Sequence, residues 1–263
     1  LPANPFGQQA VNYLRSQGVD ISEVCWAEGE RMGLLFLETG AGPRPTRVYY
    51  DRAESAASHM TPDDLPADLI QQARWLHLTG ITAALSATCQ QTVEAALELA
   101  QASSTTVSLD VNYRALLWPN DQAAQVLAPL CQAADVVFIA ARDARTVFGQ
   151  VGEAVAICQS LQHKWGGVVI CSDGANGVYG CEGEEVYFSA AFPVNPIIDR
   201  IGAGDALASG VICRLLEGAP LSEAQRFGAA LAALKLTIPG DVALVTRQEV
   251  ENLLNQARNS LQR

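Results

Sequence analysis

The chemistry in this sequence concentrates in a turn, Ile198-Asp-Arg-Ile-Gly-Ala-Gly-Asp205, that runs into the small-residue stretch Ala206-Leu-Ala-Ser-Gly210. Gly202 and Gly204 free the backbone to fold its amides around an anion, and the helix predicted to follow adds the positive end of its dipole, which favours phosphate. Asp205 falls in the first turn of that helix, where the dipole favours a carboxylate able to take a proton beside the bound group. The same residues also read as a plain helix start with an ordinary first-turn acid. A second cluster, Asp110-Val-Asn-Tyr-Arg114, follows a predicted strand, although Asp and Asn also favour simple turns. A third is Tyr49-Tyr-Asp-Arg52. Arg52 and Arg114, on separate loops, suit a ligand with a carboxylate, because a guanidinium meets that group through paired charge-assisted bonds.

The longer pattern Asp-x-x-Gly-Ala-Gly-Asp with a later glycine is matched at Asp199, Gly202, Ala203, Gly204, Asp205 and Gly210. It resembles the signature of the ribokinase-like (PfkB) carbohydrate kinases. The resemblance implies that the Gly202, Ala203 and Gly204 amides form an anion hole for the transferred phosphoryl, with Asp205 deprotonating the acceptor hydroxyl. Asp110 to Arg114 with Leu117-Trp118 is similar to the 2-keto-3-deoxygluconate kinases of that family. This likeness implies that Asn112 lies between sugar and nucleotide and that Arg114 contacts substrate. Tyr49 to Ser58 resembles the lid of the same group, which implies that Tyr50 and Arg52 reach a sugar acid. His77 to Thr82 resembles a strand end whose isoleucine, here Ile81, lines the sugar pocket. Ala233 to Asp241 places Asp241 at a substrate contact in the same way.

On the nucleotide side, Gly174 and Gly177 match the glycines of the family's nucleotide loop and Ser172 stands where a Lys or Thr is usual, in a sequence that also makes a tight turn. Where family members carry Asn-x-x-Glu, tied to magnesium and phosphate, this chain has Ala140-Ala-Arg-Asp143. Asp143 is then the acid expected to serve Mg2+ through water. The resemblance runs from about Asn4 to the C-terminus and lacks the family's opening strand and Gly-Gly-x-x-x-Asn turn. One ribokinase-like kinase domain over 1–263, without that opening segment, is the expectation. The implied activity is phosphorylation of the terminal hydroxyl of 2-keto-3-deoxygluconate, or a close sugar acid, by ATP with Mg2+. Two alternatives stay open: another PfkB sugar kinase of the fructokinase or ribokinase type, and a non-catalytic sugar- or nucleotide-binding relative.

Positioning these residues calls for an α/β frame. Short apolar runs predict strands at 75–78, 106–110, 135–139 and 167–171, alternating with helices at about 88–100, 119–130 and 152–163. Such alternation predicts a mainly parallel sheet flanked by helices, the three-layer ribokinase-like fold, with functional residues just after the strands. The runs at 33–38 and 46–51 around Gly40-Ala-Gly-Pro43 predict a hairpin, a small β lid over about 33–52. Asn4 and Pro5 predict a helix over 5–17. Val19 to Trp26 reads as a short strand and 178–188 as a second hairpin, with helices following over 203–216, 221–236 and 247–258. His77 reads as a core residue, and His59 and His163 as surface residues.

Composition narrows the functional classes. At 263 residues, 49% of them hydrophobic, the chain is long enough to bury a sizeable core. It has no apolar run near the roughly 20 residues of a membrane span, so a soluble protein with no membrane partner is expected. A net charge of −11 argues against sequence-independent nucleic-acid binding, which rests on Lys and Arg neutralising phosphates. Seven cysteines, an odd number without Cys-x-x-Cys pairs, read as buried free thiols. With no secretory leader in view, they point to a cytoplasmic protein. The resemblance adds a homo-oligomer paired through its lids.

Overall fold

A computed structural model of the chain describes residues 1–40 and 43–261, with side chains described as far as residue 257. They form two compact units: unit 1, Leu1–Thr106 with Tyr113–Val126, and unit 2, Val107–Asn112 with the chain from Leu127 onward.

Unit 1 opens with α1 (Pro5–Ser16), begun by Pro5 and capped by Asn4, whose side chain accepts from the Phe6 and Gly7 amides. The expected hairpin is present as β1 (Leu34–Glu38) and β2 (Arg47–Asp51), antiparallel, with Phe36 opposite Tyr49 and Leu35 opposite Tyr50. Of its expected turn, Ala41 and Gly42 lie outside the described residues. After α2 (Ala67–Gln72) come β3 (Trp75–Thr79), the short α3 (Gly80–Ala83) and α4 (Ala87–Gln101). α4 buries Val93, Ala96, Leu97 and Ala100, one stripe at helical spacing. The Thr105 hydroxyl donates to the Ile70 and Ala73 carbonyls at 2.8 and 2.9 Å, tying the chain after α4 to the end of α2.

Unit 2 carries strands β4 (Thr106–Asp110), β5 (Val136–Ala140), β6 (Val168–Ser172), β7 (Val178–Glu182) and β8 (Glu185–Ser189), neighbours in that order. β4, β5 and β6 pair in parallel, and the β7–β8 hairpin extends the sheet antiparallel. Among them run α5 (Asn120–Ala133), which begins in unit 1, α6 (Ala141–Phe148) and α7 (Ala154–Trp165), and then α8 (Ala203–Leu216), α9 (Leu221–Lys235) and α10 (Arg247–Leu261). Consecutive strand residues point to opposite faces. A Cβ on Gly180 would meet Gln225 of α9, while Cys181, the next residue, faces Cys158 of α7. The sheet thus lies between helical layers. Gly210 and Gly228 bring α8 and α9 together: a Cβ on Gly210 would stand 2.7 Å from the Gly228 Cα.

Three expectations need correcting. Val19 to Trp26 forms no strand, because Asp20 accepts from the Ser22 amide at 3.0 Å and curls the chain into turns. His77 is exposed, not a core residue: β3 half-buries Leu76 and Leu78, and the residue between them points the other way. The thiols are all free, yet only five are buried, Cys25 and Cys213 being exposed. Among the described residues no helix is long and apolar enough to cross a membrane.

Candidate active site

In unit 2 the turn before α8 is held by a web of bonds. Gly202, the residue before α8, sits at φ +79, and a Cβ there would fall 1.9 Å from the Asp241 carbonyl oxygen, so both conformation and space exclude any other residue. Asp199 closes the turn from within: its Oδ1 accepts from the Ile201 amide at 3.0 Å and its Oδ2 from the Gly240 amide at 3.1 Å. The Ile198 amide donates to the Leu236 carbonyl at 2.8 Å, binding the same two segments once more. Among the described residues no side chain caps α8, and the Ala206 amide closes its ladder onto the Gly202 carbonyl at 2.9 Å. The helix start thus keeps its positive end for a ligand. Asp205 lies exposed in this first turn, with Gly204 beside it also exposed and Ala203 half-buried.

Other expected residues of unit 2 stand just after strands or next to that turn. Asn112, past the end of β4, takes φ +42, and its amide donates to Asp110 Oδ1 at 3.1 Å. Ser172 ends β6 and leads into the glycine loop, where Gly174 and Gly177 both have positive φ and the Asp173 amide donates to the Gly177 carbonyl at 2.8 Å. Cys171, beside Ser172, has its thiol pushed up to about 12, mainly by burial and further by the charge of Asp173. It remains protonated and is no nucleophile at neutral pH. Asp241 is exposed, and its carbonyl is the one that crowds Gly202.

Asp143 is in the first turn of α6, only 5% exposed, and its Oδ1 accepts from Arg142 Nε at 3.0 Å. Among the described residues no cluster of three or more His, Cys, Asp or Glu could cage a metal ion. A single engaged carboxylate fits magnesium only as an ion that keeps waters and takes phosphate oxygens from its ligand.

Unit 1 holds the remaining expected residues. Tyr50 in β2 and Arg52 just beyond it share a parity along the strand, and the Arg52 guanidinium lies over the Tyr50 ring at 4.5 Å from its centroid. Arg114 is half-buried and donates to the Tyr113 carbonyl at 3.1 Å, while the Tyr113 hydroxyl, donating to the Trp118 carbonyl at 3.2 Å, fixes the loop. Ile81 is half-buried in α3, where the Thr79 side chain accepts from its amide.

Sequence reasoning missed Lys235. It is fully buried at the end of α9, and its ammonium donates to the carbonyls of Asp199 at 3.3 Å and Ile238 at 3.2 Å. The available signal was a lone cation in the apolar run Ala229 to Ile238, at a position the helical period turns inward.

The same fold recurs in known proteins. A model of the pfkB family carbohydrate kinases matches residues 1–247. A 2-dehydro-3-deoxygalactonokinase of Haloferax volcanii is 37% identical, over 97% of this chain and 80% of its own length. A 2-dehydro-3-deoxygluconokinase of Bacillus subtilis is 32% identical over 93% of this chain and 76% of its own. Among solved structures, the 2-dehydro-3-deoxygluconokinase of Thermotoga maritima superposes with a TM-score of 0.88 at 35% identity, covering 96% of this chain and 81% of that one. Similarity this extensive in sequence and in fold shows that the chain belongs to the pfkB family of carbohydrate kinases.

Proposed function

We propose that this carbohydrate kinase transfers the γ-phosphoryl group of ATP to the terminal hydroxyl of 2-keto-3-deoxygluconate. The observation that carries the reading is the Gly202 turn opening an uncapped α8 with Asp205 in its first turn. Asp205 takes the hydroxyl proton as that oxygen bonds to the γ-phosphorus, and the bond from phosphorus to the bridging oxygen breaks to release ADP. Amides of Gly202, Ala203 and Gly204 stabilise charge on the moving phosphoryl. A positioned base contributes about 10²–10⁴ in rate, and each preorganised donor about 10²–10³. Asp143 would hold one of the waters of a magnesium ion bound with the triphosphate, an ion that would offset the charge of the phosphates. Asn112, Ser172, Gly174 and Gly177 serve the nucleotide. Tyr50, Arg52, Ile81, Arg114 and Asp241 serve the sugar acid.

The substrate follows from the two arginines and from the names of relatives at 32 and 35% identity. The relative at 37% identity acts, by its name, on the galacto epimer, which favours 2-keto-3-deoxygalactonate as a second reading. Free thiols at all seven cysteines fit the reducing cytoplasm. Pairing of lids in a homo-oligomer would cover Phe36 and Tyr49, which share one face of the hairpin and are 56% and 50% exposed.

The test is ADP release from the purified chain over both epimers, fructose and ribose. The acids should turn over, Asp205→Asn should lose at least about a hundredfold in kcat, and Arg52→Lys or Arg114→Lys should raise KM for the acids roughly tenfold or more. Preference for fructose or ribose would make the chain a general sugar kinase. Binding without turnover on any sugar would make it a non-catalytic relative.

A further inference from the structure

We propose that Lys235 is a positioning residue for phosphoryl transfer, an internal cation that fixes the turn carrying Gly202 to Asp205; this rests on the reading of that turn as the phosphoryl site. The argument starts from cost. Lys235 is 0% exposed, and among the described residues no carboxylate oxygen comes within 4.0 Å of its ammonium. A methionine or leucine would fill the same helical position without removing a charge from water. What lysine adds is a set of strong donors, and both of its acceptors have structural meaning. The Asp199 carbonyl belongs to the turn, and the Ile238 carbonyl to the segment that ends at Asp241, against which Gly202 is pressed.

The place of the ammonium in the helix pair supports the same role. Lys235 is the last residue of α9, where a cation meets the negative end of that helix. Its donation to Asp199 couples that end to the stretch leading into the positive start of α8. The Asp199 carboxylate already spans both segments through the Ile201 and Gly240 amides. Lys235 and Asp199 together therefore make one charge-assisted clasp, with the cation on the α9 side and the carboxylate's residue on the turn. Without the cation, two inward-facing carbonyls lose their donor, and the turn can relax away from Asp241. A shift of that kind leaves substrate binding largely intact but misplaces the amides that must meet the phosphoryl in the transition state.

The experiment uses the purified chain with Lys235→Met and Lys235→Ala, the parent, and Asp205→Asn as the control for the phosphoryl-site reading. In Lys235→Met, kcat should fall roughly tenfold to a hundredfold while KM for sugar acid and ATP and the thermal midpoint stay close to the parent's. In Lys235→Ala, which leaves space between the two carbonyls, ammonium chloride should restore part of the lost kcat. Tetramethylammonium chloride at equal ionic strength should not, having no N–H to donate. Parental kcat in Lys235→Met overturns the proposal, and so does a loss in Lys235→Ala that ammonium leaves unchanged. If Asp205→Asn itself kept full turnover, the reading of the turn would fail separately, whatever the lysine variants did.

Discussion

His59 sits between two carboxylates in the stretch that follows the lid, with Nδ1 3.0 Å from Glu30 and Nε2 3.1 Å from Glu54. The bond to Glu30 first, and that to Glu54 next, raise its pKa above the ordinary value of about 6.5. A raised histidine pKa adds stability that is fully present below the unfolded value and lost as pH rises through the folded one. The junction below the hairpin should therefore be firmest below pH 6.5 and loosen as the pH rises through the raised value. An NMR titration of the His59 ring checks this: its midpoint should lie above 6.5 and move back toward it in Glu30→Gln, and a midpoint at or below 6.5 in the parent rejects it. The residues of the proposed site were legible to very different degrees. Asp205 and its glycines stood out by their spacing, and at Gly202 the backbone pressed against Asp241 admits little else. Lys235 did not, since a lysine near the end of a helix ordinarily reads as solvated.

At the scale of elements, α8 and α9 are joined where both lack a side chain. Placing a methyl group at 210 sets it 2.7 Å from the Gly228 Cα, a backbone atom that cannot swing aside. Gly210→Ala should then cost about 1–3 kcal/mol, as overpacking does. In a domain this large that lowers the thermal midpoint by about 2–4 °C for each kcal/mol. Calorimetry should see the fall, and an unchanged midpoint would mean that the helices separate freely at this crossing. The strands β5 and β6 were readable because runs of six and four apolar residues, flanked by polar residues or glycine, fit little but a buried strand. Val19 to Trp26 misled because its apolar residues lie around Asp20, whose side chain captures the local backbone. The helices α3 and α6 escaped notice because four and eight residues are too few to display a period.

For the whole chain, a net charge of −11 sets the problem that Arg52 and Arg114 are proposed to solve. An anionic sugar acid approaching such a surface meets a repulsive field, so recognition must come from cations placed at short range. Arg52 is steadied by Tyr50 and Arg114 by the bond to its neighbouring carbonyl, so neither is a loose surface charge. The hairpin that carries Tyr50, proposed as a lid, has a different character from the sheet of unit 2. Among the described residues β1 and β2 pair with each other alone, leaving two outer edges, whereas β5 is bonded on both sides, to β4 and to β6. A ribbon of two strands is marginal by itself. Its backbone should therefore serve as a clock for the solvent: in heavy water the amides of 34–38 and 47–51 should take up deuterium well before those of 136–140. If the lid closes on its ligand, adding 2-keto-3-deoxygluconate should slow the first set and leave the second unmoved. Exchange at the same pace in both would mean that the ribbon is as firmly held as the sheet, and the cycle of opening and closing would have to reside elsewhere in the chain.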